Sequence, residues 1–217
     1  MAPAAPPRGL DPASAEVQRA FAEIYRVRGW GDGESVSGPG SGVERTAAFR
    51  PTLASTLRAL NARSLLDAGC GDLNWMPLLD AGLRRYVGVD VVPELIEALR
   101  ARAAGPGREF LVADISRDPL PRADAILCRD CLVHLTLGDG VLAIENFKAS
   151  GARYLVATTF VDRTTNDEIP TGHWRTLNLC APPFSLPPPI ALIDEHCTHT
   201  GGIWRDERLG VWDLRAL

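Results

Sequence analysis

From Arg63 onward the sequence alternates short apolar runs with segments of helical length, and that alternation restricts the chain to very few architectures. The runs at residues 64–67, 86–90, 109–114, 125–128 and 154–159 have the length and apolar character of buried strands. Residues 75–81, 93–103 and 137–149 between them carry helical spacing. Strands separated by helices form βαβ units around a parallel sheet covered on both faces. Two further strand-like pieces, 190–195 and 209–214, follow with no crossover helix between them, so they suit an antiparallel pair at a sheet edge. The expectation is an α/β, Rossmann-like doubly wound fold.

Ahead of this core, residues 15–27 place Val17, Phe21, Ile24 and Tyr25 on one helical face, with Ser14 as a capping residue. A second helix is expected from about Val43 to Leu60, kinked or restarted at Pro51. Between them, residues 30–42 are too rich in Gly and Ser for helix or strand. The expected organisation is a flexible tail over residues 1–13 and one domain over 14–217. Within that domain, residues 14–62 supply helices and a lid loop, and 63–217 the ligand-binding core. At 217 residues the chain has room for one full core.

Composition removes several function classes. A formal net charge of −4 gives no basic footprint, so no nucleic-acid partner is expected. No apolar run approaches the ~20 residues that span a bilayer, so no membrane role is expected. The cysteines (Cys70, Cys128, Cys131, Cys180, Cys197) are odd in number and scattered, as in a reduced, cytoplasmic protein. Cys128 and Cys131 have C-x-x-C spacing without a second pair of ligands nearby, and His196, Cys197 and His199 alternate across strand faces. No metal is expected from either cluster.

Chemistry concentrates at strand ends. The first run leads into Asp67-Ala68-Gly69-Cys70-Gly71-Asp72, where two glycines permit a tight turn and close approach of a ligand at a helix start. An acid at the head of that turn repels phosphate and suits a ligand carrying an ammonium group. The second run ends in Asp90, placed to accept hydrogen bonds from both hydroxyls of a ribose. The third ends in Asp114-Ile115, an acid for an adenine amino group beside an apolar cover for the ring. Any one such acid is commonly a turn-former or cap, but three in successive units around a Gly-x-Gly turn form a coherent nucleoside site.

These residues resemble the class I S-adenosylmethionine-dependent methyltransferases. The resemblance runs through Asp67-Ala68-Gly69-Cys70-Gly71-Asp72, Val89-Asp90 and Ala113-Asp114-Ile115 and covers roughly residues 63–160. It departs at Leu73, where the family pattern usually has a third glycine. It implies a seven-stranded sheet of order 3-2-1-4-5-7-6 with the last strand antiparallel, and S-adenosyl-L-methionine as cofactor. The cofactor contacts it implies are Asp67, Gly69, Cys70, Gly71, Asp72, Asp90, Val91, Asp114 and Ile115. More narrowly, the chain is similar to a group of mostly uncharacterised bacterial methyltransferase-domain proteins that share Glu34-Ser35, the string from Leu127 to Leu135, and Trp174-Arg175 with Leu177-Asn178-Leu179.

The methyl-accepting side is expected beyond the fourth strand. His134 has the intrinsic pKa of a general base, or else caps a helix start by bonding a backbone carbonyl. Arg129 and Asp130 either contact ligand or form a local ion pair. His173, Trp174, Arg175 and Asn178 combine aromatic, cationic and amide groups suited to a polar or anionic small substrate, unless the Trp packs down and the Arg faces solvent. Trp30 and Ser41 belong to a loop long enough to serve as a lid over the cofactor. Ala181-Pro182-Pro183-Phe184 lacks the amide of the nucleic-acid amino-methylation motif, and the proline run 182–189 is expected to stiffen a pocket wall.

The expected activity is S-adenosylmethionine-dependent methyl transfer to an oxygen or nitrogen of a small molecule, a sugar or specialised metabolite. His134 as a base favours oxygen. The alternatives are a non-catalytic cofactor-binding regulatory partner, or an aminopropyltransferase or dehydrogenase on the same fold.

Overall fold

The computed structural model describes residues 11–31, 33–197 and 200–217. The expected tail therefore falls largely outside the described residues, as does His199. The core is a seven-stranded sheet in the order β3-β2-β1-β4-β5-β7-β6. Its strands are β1 (Ser64–Ala68), β2 (Arg85–Asp90), β3 (Arg108–Val112), β4 (Ala125–Cys128), β5 (Tyr154–Phe160), β6 (Ala191–Asp194) and β7 (Glu207–Asp213). The first five are parallel, and β7 inserts antiparallel between β5 and β6. This is the doubly wound, Rossmann-like arrangement expected from the sequence.

Among the described residues, five α-helices accompany the sheet: α1 (Pro12–Val27), α2 (Val43–Ala47), α3 (Arg50–Ala59), α4 (Pro93–Ala103) and α5 (Leu137–Ala149). The break between α2 and α3 comes just before Pro51, which occupies the first turn of α3, where its missing N–H costs nothing. Two expectations change. The cap of α1 is Asp11, whose carboxylate accepts the Ser14 N–H at 2.9 Å, and Ser14 turns its hydroxyl inward instead. Residues 75–81 form no α-helix. Leu73 adopts φ 58°, and only a 3-10 turn, Met76–Leu78, precedes an extended Leu79. The glycine turn after β1 therefore does not lead into a helix N-terminus.

The period-two alternation of β1 divides its side chains between two apolar layers. Leu65 packs with Phe49, Leu53 and Leu57 of the α3 side and with Ile96 and Leu99 of α4. Leu66 and Ala68 pack on the opposite face with Ile144 and Phe147 of α5. Asp67 therefore shares the face of Leu65. No described helix is long and apolar enough to cross a membrane.

The proline run lies away from the cavities described below. Phe184 sits against Gly140 of α5, where a Cβ would come within 2.9 Å of its ring, and the Pro187 carbonyl accepts the Trp212 indole N–H at 2.8 Å. The run covers the back of the sheet and does not stiffen a pocket wall.

Candidate active site

The carboxyl ends of β1, β2 and β4 open into a cleft of about 1110 Å³, including its mouth. Its floor carries Asp67, Gly69, Cys70, Gly71, Asp90, Val91, Asp114 and Ile115. Its roof is the apolar face of α1, with Val17, Phe21, Ile24 and Tyr25, and the side wall includes Trp30, Ser41, Trp75 and Met76. The apolar stripe of α1 thus has a ligand cavity beneath it in place of an ordinary packing partner. Ser14 and Gln18 fix the helix there: the Ser14 hydroxyl donates to Asp114 Oδ2 at 2.8 Å, and Gln18 donates to the Val91 carbonyl at 3.1 Å.

The three acids do different things. Asp90 accepts the Gly71 N–H at 3.2 Å and the Val92 N–H at 3.1 Å, one on each oxygen, and each oxygen keeps a lone pair. Burial raises its pKa, and those backbone donors partly offset the shift. Asp67 is buried, its Oδ2 accepting the Tyr86 hydroxyl at 2.6 Å. Burial pushes its carboxyl to about 7, against the opposing pull of the Tyr86 hydrogen bond. Ionising Asp67 in the empty fold therefore removes stability as pH rises from the ordinary carboxyl range through about 7. A ligand ammonium would relieve that cost. Asp114 is 2% exposed and already engaged: besides Ser14, it accepts the Arg117 guanidinium at 3.2 Å and the Ser116 N–H at 2.8 Å. Its carboxylate holds α1 over the cleft and has less capacity for an adenine amino group than the sequence suggested.

The glycines of the turn are needed where they stand. Gly69 has φ 82°, and a Cβ there would lie 2.6 Å from the Cys131 sulfur; Gly71 has φ 53°, and a Cβ there would lie 2.2 Å from the Ser37 hydroxyl. Asp72, next in sequence, does not line the cleft. It accepts the Ser35 hydroxyl at 2.9 Å and the Val36 N–H at 2.9 Å, clamping the 30–42 loop against the turn.

A second chamber of about 1380 Å³, including its mouth, adjoins the first. Trp30, Ser37, Arg129, Asp130 and His134 line both. Trp30 stacks on the His134 ring with centroids 4.3 Å apart. His134 closes the 3-10 turn Leu132–His134 after β4, and its Nδ1 lies 2.8 Å from the His173 carbonyl. A carbonyl only accepts, so Nδ1 carries the proton and Nε2 holds a free lone pair. Burial lowers the His134 pKa below its usual value, partly countered by that hydrogen bond, so the ring is neutral at pH 7. The two readings of His134 are thus compatible: the carbonyl bond fixes the tautomer a base requires.

Arg129 forms the ion pair that the sequence left open. Nη2 lies 2.7 Å from Glu195 Oε2 and Nη1 lies 3.1 Å from Asp130 Oδ2, while the guanidinium sits 4.8 Å above the Phe49 ring. Asp130 adopts φ 51° and donates its N–H to the Thr158 hydroxyl at 2.9 Å.

The loop after β5 contributes less than its composition suggested. Trp174 lines the second chamber, packed on Trp204 at 4.7 Å. His173 supplies its backbone carbonyl to His134, but its ring is exposed and lines neither cavity. Arg175 is 5% exposed and donates to the Leu135 carbonyl, which ties the loop to the segment after β4. Asn178 donates to the Arg163 carbonyl at 2.6 Å and accepts the Cys180 N–H at 2.8 Å. Neither side chain lines either chamber: Arg175 braces the loop against the segment after β4, and Asn178 holds the loop's own backbone. Residues the sequence reading did not single out as site residues also line the second chamber, among them Glu44, Arg45, Trp204 and Glu207. Among the described residues, no cluster of three or more His, Cys, Asp or Glu is arranged to hold a metal.

Comparison with known proteins adds the following. Residues 65–150 match the family described as a methyltransferase domain. No curated protein matches the chain. Among solved structures, magnesium protoporphyrin IX methyltransferase from Synechocystis, with S-adenosylhomocysteine bound, is 20% identical over 69% of this chain and 73% of its own, with a TM-score of 0.49. The sugar N-methyltransferase KedS8 from a Streptoalloteichus species is 21% identical over 72% of this chain and 58% of its own, with a TM-score of 0.47. The methyltransferase domain of a bacterial Hen1 protein is 20% identical over 54% of this chain and 66% of its own, with a TM-score of 0.47. Residues 65–150 thus match a methyltransferase domain, and the sheet has the strand order that the resemblance to class I, S-adenosylmethionine-dependent methyltransferases implied.

Proposed function

We propose that the protein methylates an oxygen or nitrogen of a small molecule in the cytoplasm, with the cofactor in the first chamber and the acceptor in the second. The observation that carries this reading is the junction between them: a neutral His134 with a free Nε2, stacked on Trp30, lines both cavities. Asp90 would hold the ribose hydroxyls and Asp67 the ammonium of the amino-acid end. Ile115 and Val91 would cover the base. The residues present fit the cofactor, since the buried carboxyl of Asp67 and the partly buried one of Asp90 sit at raised pKa and would be stabilised by the hydrogen-bond donors it brings.

Bound there, S-adenosylmethionine supplies an activated methyl group for in-line displacement. The chain's contribution is alignment, exclusion of water and proton removal. Trp30 and the roof of α1 shield the reacting region. His134 Nε2 can take a proton from the acceptor while Nδ1–H stays bonded to the His173 carbonyl.

A dinucleotide enzyme fits less well. The glycine turn opens on Asp67 and runs into a 3-10 turn, so no helix N-terminus faces the ligand to seat a pyrophosphate. Calorimetric titration separates the readings. Saturable S-adenosylhomocysteine binding with no heat from NAD is expected. NAD binding without S-adenosylhomocysteine binding would reject the proposal.

A further inference from the structure

The second chamber is lined by more acidic side chains than basic ones. Its described lining holds the carboxylates of Glu44, Asp130, Glu195 and Glu207 against the guanidinium groups of Arg45 and Arg129. At the deep end the imbalance is sharper. Arg129 alone faces three acids, and it is saturated by Glu195 Oε2 and Asp130 Oδ2 at the distances given above. Glu195 keeps its other oxygen, Oε1, buried without a hydrogen-bond partner, on a side chain only 3% exposed. A buried carboxylate oxygen left unpaired, on a residue that lines the chamber, is a costly arrangement that a donor from a ligand would relieve. Burial and mutual repulsion raise the carboxyls that surround Arg129, Glu195 to about 7 and Glu207 to about 8, and a cation seated among them would return both to the ionised form.

The remaining walls are aromatic. Trp30, Trp174 and Trp204 all line the chamber, the last two packed together, and Phe160 braces Trp174 edge-on at 6.0 Å. Indole faces attract ammonium groups and disfavour anions. The surplus of acids and the tryptophans select the same ligand charge. Arg175, the cation that favoured an anionic substrate in the sequence, is buried elsewhere.

We infer that the methyl acceptor is an amine, held as its ammonium form by Glu195, Glu207 and Asp130 against the faces of Trp174 and Trp204. This inference rests on the methyl-transfer reading above and narrows its acceptor to nitrogen. The ammonium gives one proton to His134 Nε2, and the freed lone pair forms the new N–C bond. The methyl–sulfur bond breaks with its electron pair passing to sulfur. The methylated nitrogen carries the positive charge that the sulfonium loses.

The test uses the full chain saturated with S-adenosylhomocysteine, titrated calorimetrically with matched pairs: benzylamine and benzyl alcohol, tryptamine and tryptophol, glucosamine and glucose. At least one amine should bind tenfold or more tighter than its alcohol. Glu207→Gln and Glu195→Gln should each abolish that preference while leaving S-adenosylhomocysteine affinity unchanged. Amines binding no tighter than their alcohols in every pair would overturn the amine assignment. So would a preference that persists in both variants. Failure of S-adenosylhomocysteine to bind the wild-type chain would overturn the underlying methyl-transfer reading as well, and so distinguishes the two failures.

Discussion

Replacing His134 with glutamine is expected to lower the rate of methyl transfer by about 10²–10⁴, the range that a positioned general base contributes. Glutamine can still donate to the His173 carbonyl, so the loop after β5 stays anchored and cofactor affinity should change little. The wild-type pH–rate profile should show an acid limb with an apparent pKa below about 6.5, because burial lowers the imidazole pKa. The sign follows from the role: Nε2 must be unprotonated to accept, so activity falls as pH drops through that value. The limb should be absent in the variant. A Gln variant with wild-type rate and an unchanged profile would return His134 to a purely structural role, held by the carbonyl and stacked on Trp30.

Asp90→Ala is expected to weaken S-adenosylhomocysteine binding by about 2–3 kcal/mol, from the loss of a charged acceptor shared by two hydroxyls. That corresponds to a roughly 30- to 150-fold rise in Kd. Asp90 also receives the Gly71 and Val92 N–H groups, so the variant loosens the turn as well as the ribose contact. Asp90→Asn retains acceptor oxygen for one of those donors and should fall between wild type and alanine. Calorimetry on the three proteins checks the series. Equal affinities would remove Asp90 from the cofactor site.

The sheet was legible because its strands are short apolar runs bounded by turns, and the first three end where an acid or glycine interrupts the run. Asp67, Asp90 and the Asp114-Ile115 pair were legible for the same reason: in a parallel sheet, strand ends converge on one edge. The segment after the glycine turn was not. Its apolar residues have helical spacing, but Pro77 starts a single 3-10 turn, while Trp75 and Met76 are drawn onto the cleft wall, so tertiary packing overrides local propensity. Arg175 and Asn178 were misplaced because chemistry can be read from residue type whereas burial cannot. Arg175 donates to the Leu135 carbonyl of the segment after β4, and Asn178 to the Arg163 carbonyl of its own loop.

The second chamber was the least visible part. Glu44 comes from α2, Asp130 from the turn after β4, Glu195 from the end of β6 and Glu207 from the start of β7. They converge only because β7 enters antiparallel between β5 and β6 and brings its first residue to the edge where β4 and β5 finish. No local pattern in the sequence announces that convergence. The face of α1 illustrates the opposite case. Its stripe of Val17, Phe21, Ile24 and Tyr25 was plain in the sequence, but only the fold shows that it roofs a cavity.

In the proposed function, two adjoining chambers meeting at His134 pass a methyl group to a small acceptor. Incubating the protein with methyl-labelled S-adenosylmethionine and a metabolite extract, then separating low-mass, protein and nucleic-acid fractions, tests it most directly. Label is expected in a low-mass product with wild-type protein, and at least a hundredfold less of it with His134→Gln. Label confined to protein or nucleic acid, or no transfer at all from a chain that binds the cofactor, would contradict it.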